Sequence, residues 1–457
     1  MDGPEGLFEP LFISDEMDPI VSAHNWVQKM VDVECAIARA QGELGVIPAD
    51  AANEISRLAS THGLDPTELG RKARDGATPV IPLVQILTDK LPETARPWIH
   101  YGATSQDILD TATMLVVKDA IRLIAQDILE IGNLLGLLAE RYRLTPMVAR
   151  TLFQHALPST FGLKAANWLG GVVSASTSLE RFFRNELVVQ FGGAGGTLAA
   201  LDDRGVLVGE RVASLLGLSF PAMPWHTQRI RIAELGGALA LIVGAVAKIA
   251  NDIVLAGQAE IGELSESQGL GGGSSALPQK VNPVGSILVN ACFRRVQGFL
   301  PVLYGCLIAE NERGAGGWQA EWPTLRDLIS TAETSTKRSA MTLRHLVVDE
   351  AAMLRNLELG RGNVMAERVL LRLSEGMGRS AAHELVRDAT RRSTKNQSSL
   401  IHELNQEAVF RESLSDDERI ELFNPLSYLG SAQIFIDNAL SQWQSASAGW
   451  NIIAGGV

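Results

Sequence analysis

Between residues 271 and 283 the chain reads GGGSSALPQKVNP. Ser274 and Ser275 follow a run of glycines, and Lys280 and Asn282 come just after, between Pro278 and Pro283. A serine hydroxyl is a poor acid or base unless its alkoxide is stabilised. Consecutive backbone N–H donors and a nearby ammonium supply that stabilisation. A glycine-rich segment can bring such donors close to an anion and can also move. Asn282 adds a neutral donor for a carboxylate. A plain flexible linker is the bland alternative, but linkers have no use for a Pro-x-Lys-x-Asn-Pro ending.

Two other polar clusters can bind anions. HYGATSQDILDT, residues 100–111, places His100, Thr104, Ser105, Gln106 and Asp107 just before a long helical period. Thr104 or Ser105 can cap that helix, and a helix N-terminus lined with hydroxyls is also a carboxylate site. ERGAGGWQAEW, residues 312–322, sets Arg313 beside glycines and two tryptophans; a guanidinium there can grip a carboxylate bidentately. A simple cap and a surface arginine over core tryptophans are the structural alternatives. FGGAGGT, residues 191–197, misses the dinucleotide-loop spacing because Leu198 stands where a third glycine is required, so it reads as a place of close backbone approach. The eight histidines are scattered, with no HExxH and no Cys/His cluster, and no GxSxG is present.

The elements that must position these groups are helical. Apolar residues recur at helical spacing over 19–45, 105–143, 156–187, 226–264, 284–312 and 323–348, and short proline-punctuated helices fill 50–95. No alternating β-branched run calls for a strand. The expectation is an all-α chain with a unit at 1–103, a long-helix bundle at 104–350 and a smaller helical unit at 351–457. The stretch 229–262 is apolar nearly all the way round, so it must be covered on every side, at a bundle centre or between subunits. The formal charge of −12 and the lack of a basic run speak against a nucleic-acid partner. Cys35, Cys292 and Cys306 have no paired spacing and suit a reducing cytoplasm. The N-terminus has no signal-peptide pattern, and the uncharged stretch 235–247 is shorter than the ~20 residues a bilayer requires, so no membrane partner is expected.

GSSALPQKVNP, residues 273–283, resembles the signature loop of the fumarase/aspartase superfamily, with Leu277 where methionine is usual. TSQD at 104–107 is similar to the superfamily's first block and RTLFQHALPSTFG at 150–162 to its second; AERVLL and GRSAAHELV near the C-terminus also resemble members. The resemblance implies an all-helical, three-domain homotetramer whose active sites combine blocks from different subunits. It implies chemistry in which a nucleophile adds to, or leaves from, the carbon β to a carboxylate while a proton moves at the α carbon. By position Ser274, with Ser275 as its neighbour, would handle that proton, and Lys280, Asn282 and the Thr104/Ser105 turn would hold a substrate carboxylate. No metal or organic cofactor is called for.

The second block departs from the pattern. Where most lyases of the group carry histidine in R-T-H-x-Q, this chain has Leu152, and His155 comes three residues later. Position 279 is Gln where many members have His. An amine leaving group or an attacking water needs a second acid or base. A carboxylate nucleophile, with an ordinary pKa of roughly 4, does not. An intramolecular carboxylate addition to a conjugated double bond therefore asks for one proton donor and yields a lactone. One branch of the superfamily, the bacterial 3-carboxy-cis,cis-muconate lactonizing enzymes, is similar in lacking that histidine and in its third block, which looks like ERGxGxWxAEW. That resemblance implies a small polycarboxylate substrate in the protocatechuate branch of aromatic breakdown. Arg313, Arg150, Gln154 and His100 join the substrate-binding candidates, and a proton role for His100 or His155 is left open. The alternatives are a cycloisomerase for a sulfonated muconate, a C–N lyase of the adenylosuccinate or argininosuccinate type, against which the missing histidine speaks, and a structural helical protein of the same fold.

Overall fold

The computed structural model describes residues 6–61, 63–266, 272–274 and 276–455. Its backbone is a set of long helices: α1 (Ala23–Glu43), α2 (Ser105–Arg141), α3 (Phe161–Asn185), α4 (Ile230–Ala256), α5 (Val284–Gly305) and α6 (Gly317–Arg344). Shorter helices follow, among them α7 (Ala366–Met377) and α8 (Arg379–Asn396), before α9 (Ala432–Gly455) closes the described chain. The helical architecture expected from the sequence is the one observed.

Spacing explains the bundle. Along α2, Val117, Ile121, Ile124, Ile128, Ile131 and Leu135 are all buried at intervals of three or four residues, which puts them on one stripe. That stripe joins apolar residues of α3, α4, α5 and α6 in the largest core cluster. Trp443 and Trp450 of α9 belong to the same cluster. Gly132 of α2 allows the approach: a Cβ there would lie 2.2 Å from the Trp443 ring. A second core joins α1 to the start of α2 and to the segment around Val189, Phe191 and Val208. A third gathers Val369, Leu373, Val386, Leu400 and Phe410. The first two cores each gather segments distant in sequence into one apolar interior.

Strands are present where none was expected. Residues 156–160 are not helical: β1 (Pro146–Thr151) and β2 (Gln154–Thr160) form an antiparallel hairpin, and α3 starts only at Phe161, capped by the Thr160 side chain. Pro146 and Pro158 lack the N–H a helix interior needs, which disfavours helix through this stretch. The hairpin turns on Leu152 and Phe153, both at positive φ (49° and 63°), the two-residue geometry whose twist matches paired strands. β3 (Leu264–Glu266) pairs antiparallel with β4 (Leu346–Val348). The helices expected over 226–264, 284–312 and 323–348 occupy 230–256, 284–305 and 317–344. α4 is long and apolar enough to cross a membrane, but Leu235, Leu239, Ile242, Val243, Val246 and Ile249 bury its inner face in the bundle.

Candidate active site

The first and third blocks meet at the N-terminal end of α2. Thr104 is the N-cap in extended geometry, and its backbone N–H donates to the Asp107 carboxylate at 3.0 Å. Asp107 is fully buried and takes three further partners: the backbone N–H of Gly192 (3.0 Å), the backbone N–H of Gly193 (2.9 Å) and Nε2 of His226 (2.7 Å). This is the work of the glycine stretch 191–197. Gly193 sits at φ +68°, where a Cβ would come within 2.8 Å of the Gly102 carbonyl oxygen. Thr104 and Ser105 are half-buried beside this latch. Arg313 ties its own loop to the same stretch, donating to the Gly193 carbonyl at 2.6 Å, and partial burial holds its pKa below the usual guanidinium value.

One turn further along α2, Arg229 lies buried between two carboxylates. It meets Asp110 at 2.7 and 3.2 Å and Glu321 at 3.0 and 2.5 Å, and stacks over the Trp225 ring. Trp318 Nε1 donates to Asp110 at 2.9 Å. Two carboxylates around one buried guanidinium join α2 to α6, so the first and third blocks cannot shift independently. Breaking such a pair leaves an uncompensated buried charge, which typically costs about 3–5 kcal/mol. Burial raises the pKa of Glu321, with Arg229 acting against it. The sequence reading missed Asp110, His226, Arg229 and Glu321. The spacing of Asp107 and Asp110, one helical turn apart, was the available signal; Arg229 lies in no motif. His100 stands at φ +58° with Nδ1 2.6 Å from Oε1 of buried Glu34 on α1. Burial pulls its pKa down, and the Glu34 charge outweighs that and raises it.

The second block is the hairpin. Arg150 faces His155 across the ladder and is clamped bidentately by fully buried Glu263, at 2.9 and 2.6 Å. Its guanidinium therefore has a partner within the chain. Gln154 is exposed, and Leu152 at the tip is 93% exposed. Burial and the Arg150 charge lower the pKa of His155.

The signature loop closes on itself. Gly273 bridges Val281, and Asn282 donates to the Gly272 carbonyl through both its backbone N–H (2.8 Å) and Nδ2 (3.1 Å). Only glycine fits at 272: φ is +90°, and a Cβ would lie 2.3 Å from the Asn282 carbonyl oxygen. Within this turn the half-buried Ser274 Oγ accepts the backbone N–H groups of Ala276 at 3.3 Å and Leu277 at 3.1 Å. Lys280 is exposed at its edge. Ser275 and Gly271 lie outside the described residues. Among the described residues, no hydrogen bond joins the α2 cluster to the hairpin or to the signature loop. The structure thus unites blocks one and three through hydrogen bonds, and holds the hairpin and the loop by bonds of their own.

Residues 14–298 match the family model described as lyase, which spans the first block, the second block and the signature loop. The chain belongs to this lyase family, within the fumarase/aspartase superfamily. Residues 362–439 match a model described as adenylosuccinate lyase C-terminus. Among its relatives, the chain is 39% identical to a 3-carboxy-cis,cis-muconate cycloisomerase of Bradyrhizobium diazoefficiens, over 95% of this chain and 97% of the relative. It is 37% identical to a nitrosuccinate lyase of Streptomyces davaonensis, over 95% of this chain and 94% of the relative. Among solved structures, the 3-carboxy-cis,cis-muconate lactonizing enzyme from Pseudomonas putida superposes with a TM-score of 0.90 at 35% identity, covering 97% of this chain and all of that one. The chain carries Ser274, Lys280 and Asn282 in the loop and Leu152 at the tip of the second block.

Proposed function

We propose that the protein is a cycloisomerase that closes 3-carboxy-cis,cis-muconate to its carboxymuconolactone, in the protocatechuate branch of aromatic breakdown. The observation that carries this is the pairing of a serine supported by two backbone N–H donors with a hairpin tip whose histidine position is Leu152. One carboxylate of the substrate attacks the conjugated system and forms the ring C–O bond. The electron pair moves onto the carbon α to a second carboxylate, giving an aci-carboxylate. The Ser274 hydroxyl delivers its proton to that carbon. The alkoxide left behind is held by the N–H groups of Ala276 and Leu277 and by the field of Lys280 until solvent returns a proton. Asn282, Lys280 and the Thr104/Ser105 turn hold one carboxylate, while Gln154 and Arg313 take the others. Arg150, occupied by Glu263, serves as the anchor of the hairpin that presents Gln154.

The site is shared between copies in a homotetramer. The apolar surface that the single chain leaves open supports this: Leu152 and Phe153 at the hairpin tip, Ile230 and Leu241 on α4, and Ile308 beyond α5 are all more than half exposed. Such patches mark association surfaces. Relatives named for the cycloisomerase reaction support the substrate assignment.

A second reading draws on the relative named nitrosuccinate lyase. Elimination of nitrite also ejects an anion that needs no protonation, so Leu152 suits it equally; the serine would then remove the α proton rather than donate it. One assay decides. The protein is offered 3-carboxy-cis,cis-muconate, its sulfonate analogue, nitrosuccinate, adenylosuccinate and argininosuccinate. Rapid loss of diene absorbance with the first compound alone is the expected result. Turnover of another compound in its place overturns the assignment.

A further inference from the structure

We infer that Glu263 and Glu266 are positioning residues that, from the two ends of one short strand, hold the second-block hairpin and the root of the signature loop. Both carboxylates are buried at the edge of β3. Glu263 grips Arg150 with both oxygens and also accepts Asn356 Nδ2 at 2.9 Å. Arg150 lies one cross-strand pair below the turn, so its guanidinium sets the direction of the tip. Glu266 acts on the other element. Its Oε2 accepts the Gly285 N–H at 2.9 Å, and its Oε1 accepts the Ser286 N–H at 2.8 Å and the Ser286 hydroxyl at 2.7 Å.

These are the second and third N–H groups of α5, and they begin three residues after Asn282. A carboxylate there satisfies orphan donors and complements the helix dipole. It also occupies the helix N-terminus, so a substrate carboxylate has to be held by the side chains of Lys280 and Asn282 instead. The linkage runs from Glu266 to Ser286 and Gly285, along the backbone to Val284, whose N–H donates to the Asn282 carbonyl at 2.9 Å, then from Asn282 to Gly272 and so to the turn that carries Ser274. Gly285 permits the close fit: a Cβ there would lie 2.2 Å from the Thr342 hydroxyl of α6. β3 is in turn pinned by β4 and by the Asp349 N–H donated to the Glu263 carbonyl at 3.0 Å. Two elements that present different groups to substrate therefore share one rigid mount, each through its own carboxylate.

The catalytic part of this inference rests on the proposed cycloisomerase reading; the positional part does not, and the test separates them. Glu263→Gln and Glu266→Gln are compared with the full-length parent by amide hydrogen exchange and by steady-state kinetics. Glu266→Gln is expected to speed exchange across 276–286 by about tenfold or more and leave the hairpin unchanged, while Glu263→Gln does the reverse across 146–160. In turnover of 3-carboxymuconate, Glu266→Gln is expected to lower kcat by about tenfold to a hundredfold at near-constant KM, and Glu263→Gln to raise KM by about tenfold at near-constant kcat. Ser286→Ala, which removes one of the three contacts, should show a weaker form of the Glu266→Gln effect. Exchange that stays at the parent's level in both variants, or that quickens throughout α5 and α6 in both, overturns the inference, as does an identical kinetic change in the two. A parent protein inert toward 3-carboxymuconate overturns the proposed function while the exchange result still decides the positional assignment.

Discussion

Leu277 donates its backbone N–H to the Oγ of Ser274 across 3.1 Å, and Ala276 adds a second donor at 3.3 Å. A hydroxyl that accepts two fixed donors is prepared to carry negative charge, because its alkoxide keeps both bonds. Ser274→Ala removes the acid and leaves the turn without its central acceptor. Turnover of 3-carboxymuconate, followed by ultraviolet absorbance, should fall by about 10²–10⁴-fold, with KM little changed. A variant that keeps near-normal turnover moves the role away from Ser274.

Leu152 stands where the resemblance of the second block leads one to expect histidine. Leu152→His should not raise the rate of lactone formation, because the attacking carboxylate is already an anion at neutral pH and departs as one in reverse. A rise of about tenfold or more in kcat would mean that a second proton transfer limits the reaction. Because Leu152 is exposed in the single chain, the substitution should leave the thermal midpoint of the isolated fold close to the parent's.

Asp107 accepts from Thr104, Gly192, Gly193 and His226, so a carboxamide cannot replace it without turning an N–H toward another N–H. Asp107→Asn should destabilise the protein by about 2–4 kcal/mol in urea unfolding. It should also slow turnover, since Thr104 and Ser105 lose their support. Parent-like stability would show that the latch is not needed to fix the start of α2.

A buried acidic pair sets an upper pH limit on stability. Burial, reinforced by the charge of Glu333, pushes the Asp127 carboxyl up to about 8 from its ordinary 3.8. Burial likewise lifts Glu333 to about 7 from 4.5. Both folded-state values lie above the unfolded ones, so this contribution to stability is full below about pH 4 and is lost as pH rises through 7 to 8. Asp127→Asn should therefore raise the melting temperature at pH 8.5 more than at pH 5.5 and flatten the profile between them. A profile unchanged in slope would show that Asp127 is charged in the folded protein throughout.

Leu241 projects from α4 with 55% of its surface exposed in the single chain. Under the tetramer reading, Leu241→Glu should give a folded, smaller species in sedimentation with little turnover. An active monomer, from parent or variant, would rule out a site assembled from several copies.

Much of this chemistry was legible along the chain because it is carried by short contiguous runs. The hydroxyl, ammonium and amide of the signature loop lie within one turn of backbone, and helical spacing announces the long helices that flank it. Leucine in place of histidine at 152 was equally plain, and with it the argument that one proton donor suffices. What the chain could not display was long-range pairing. Asp107 meets His226 119 positions away, and Arg229 meets Glu321 92 positions away; neither pairing has a local signature. The strand at 156–160 continues the helical spacing of the residues that follow it, so the sequence alone assigns it to their helix; it is a strand through cross-strand pairing and the anchor that Glu263 provides. Local propensity and side-chain chemistry are properties of neighbouring residues, so sequence determines them. Which buried charge meets which, and which backbone donors remain for a substrate, depends on how separate segments share one dehydrated interior, and only the tertiary structure decides that.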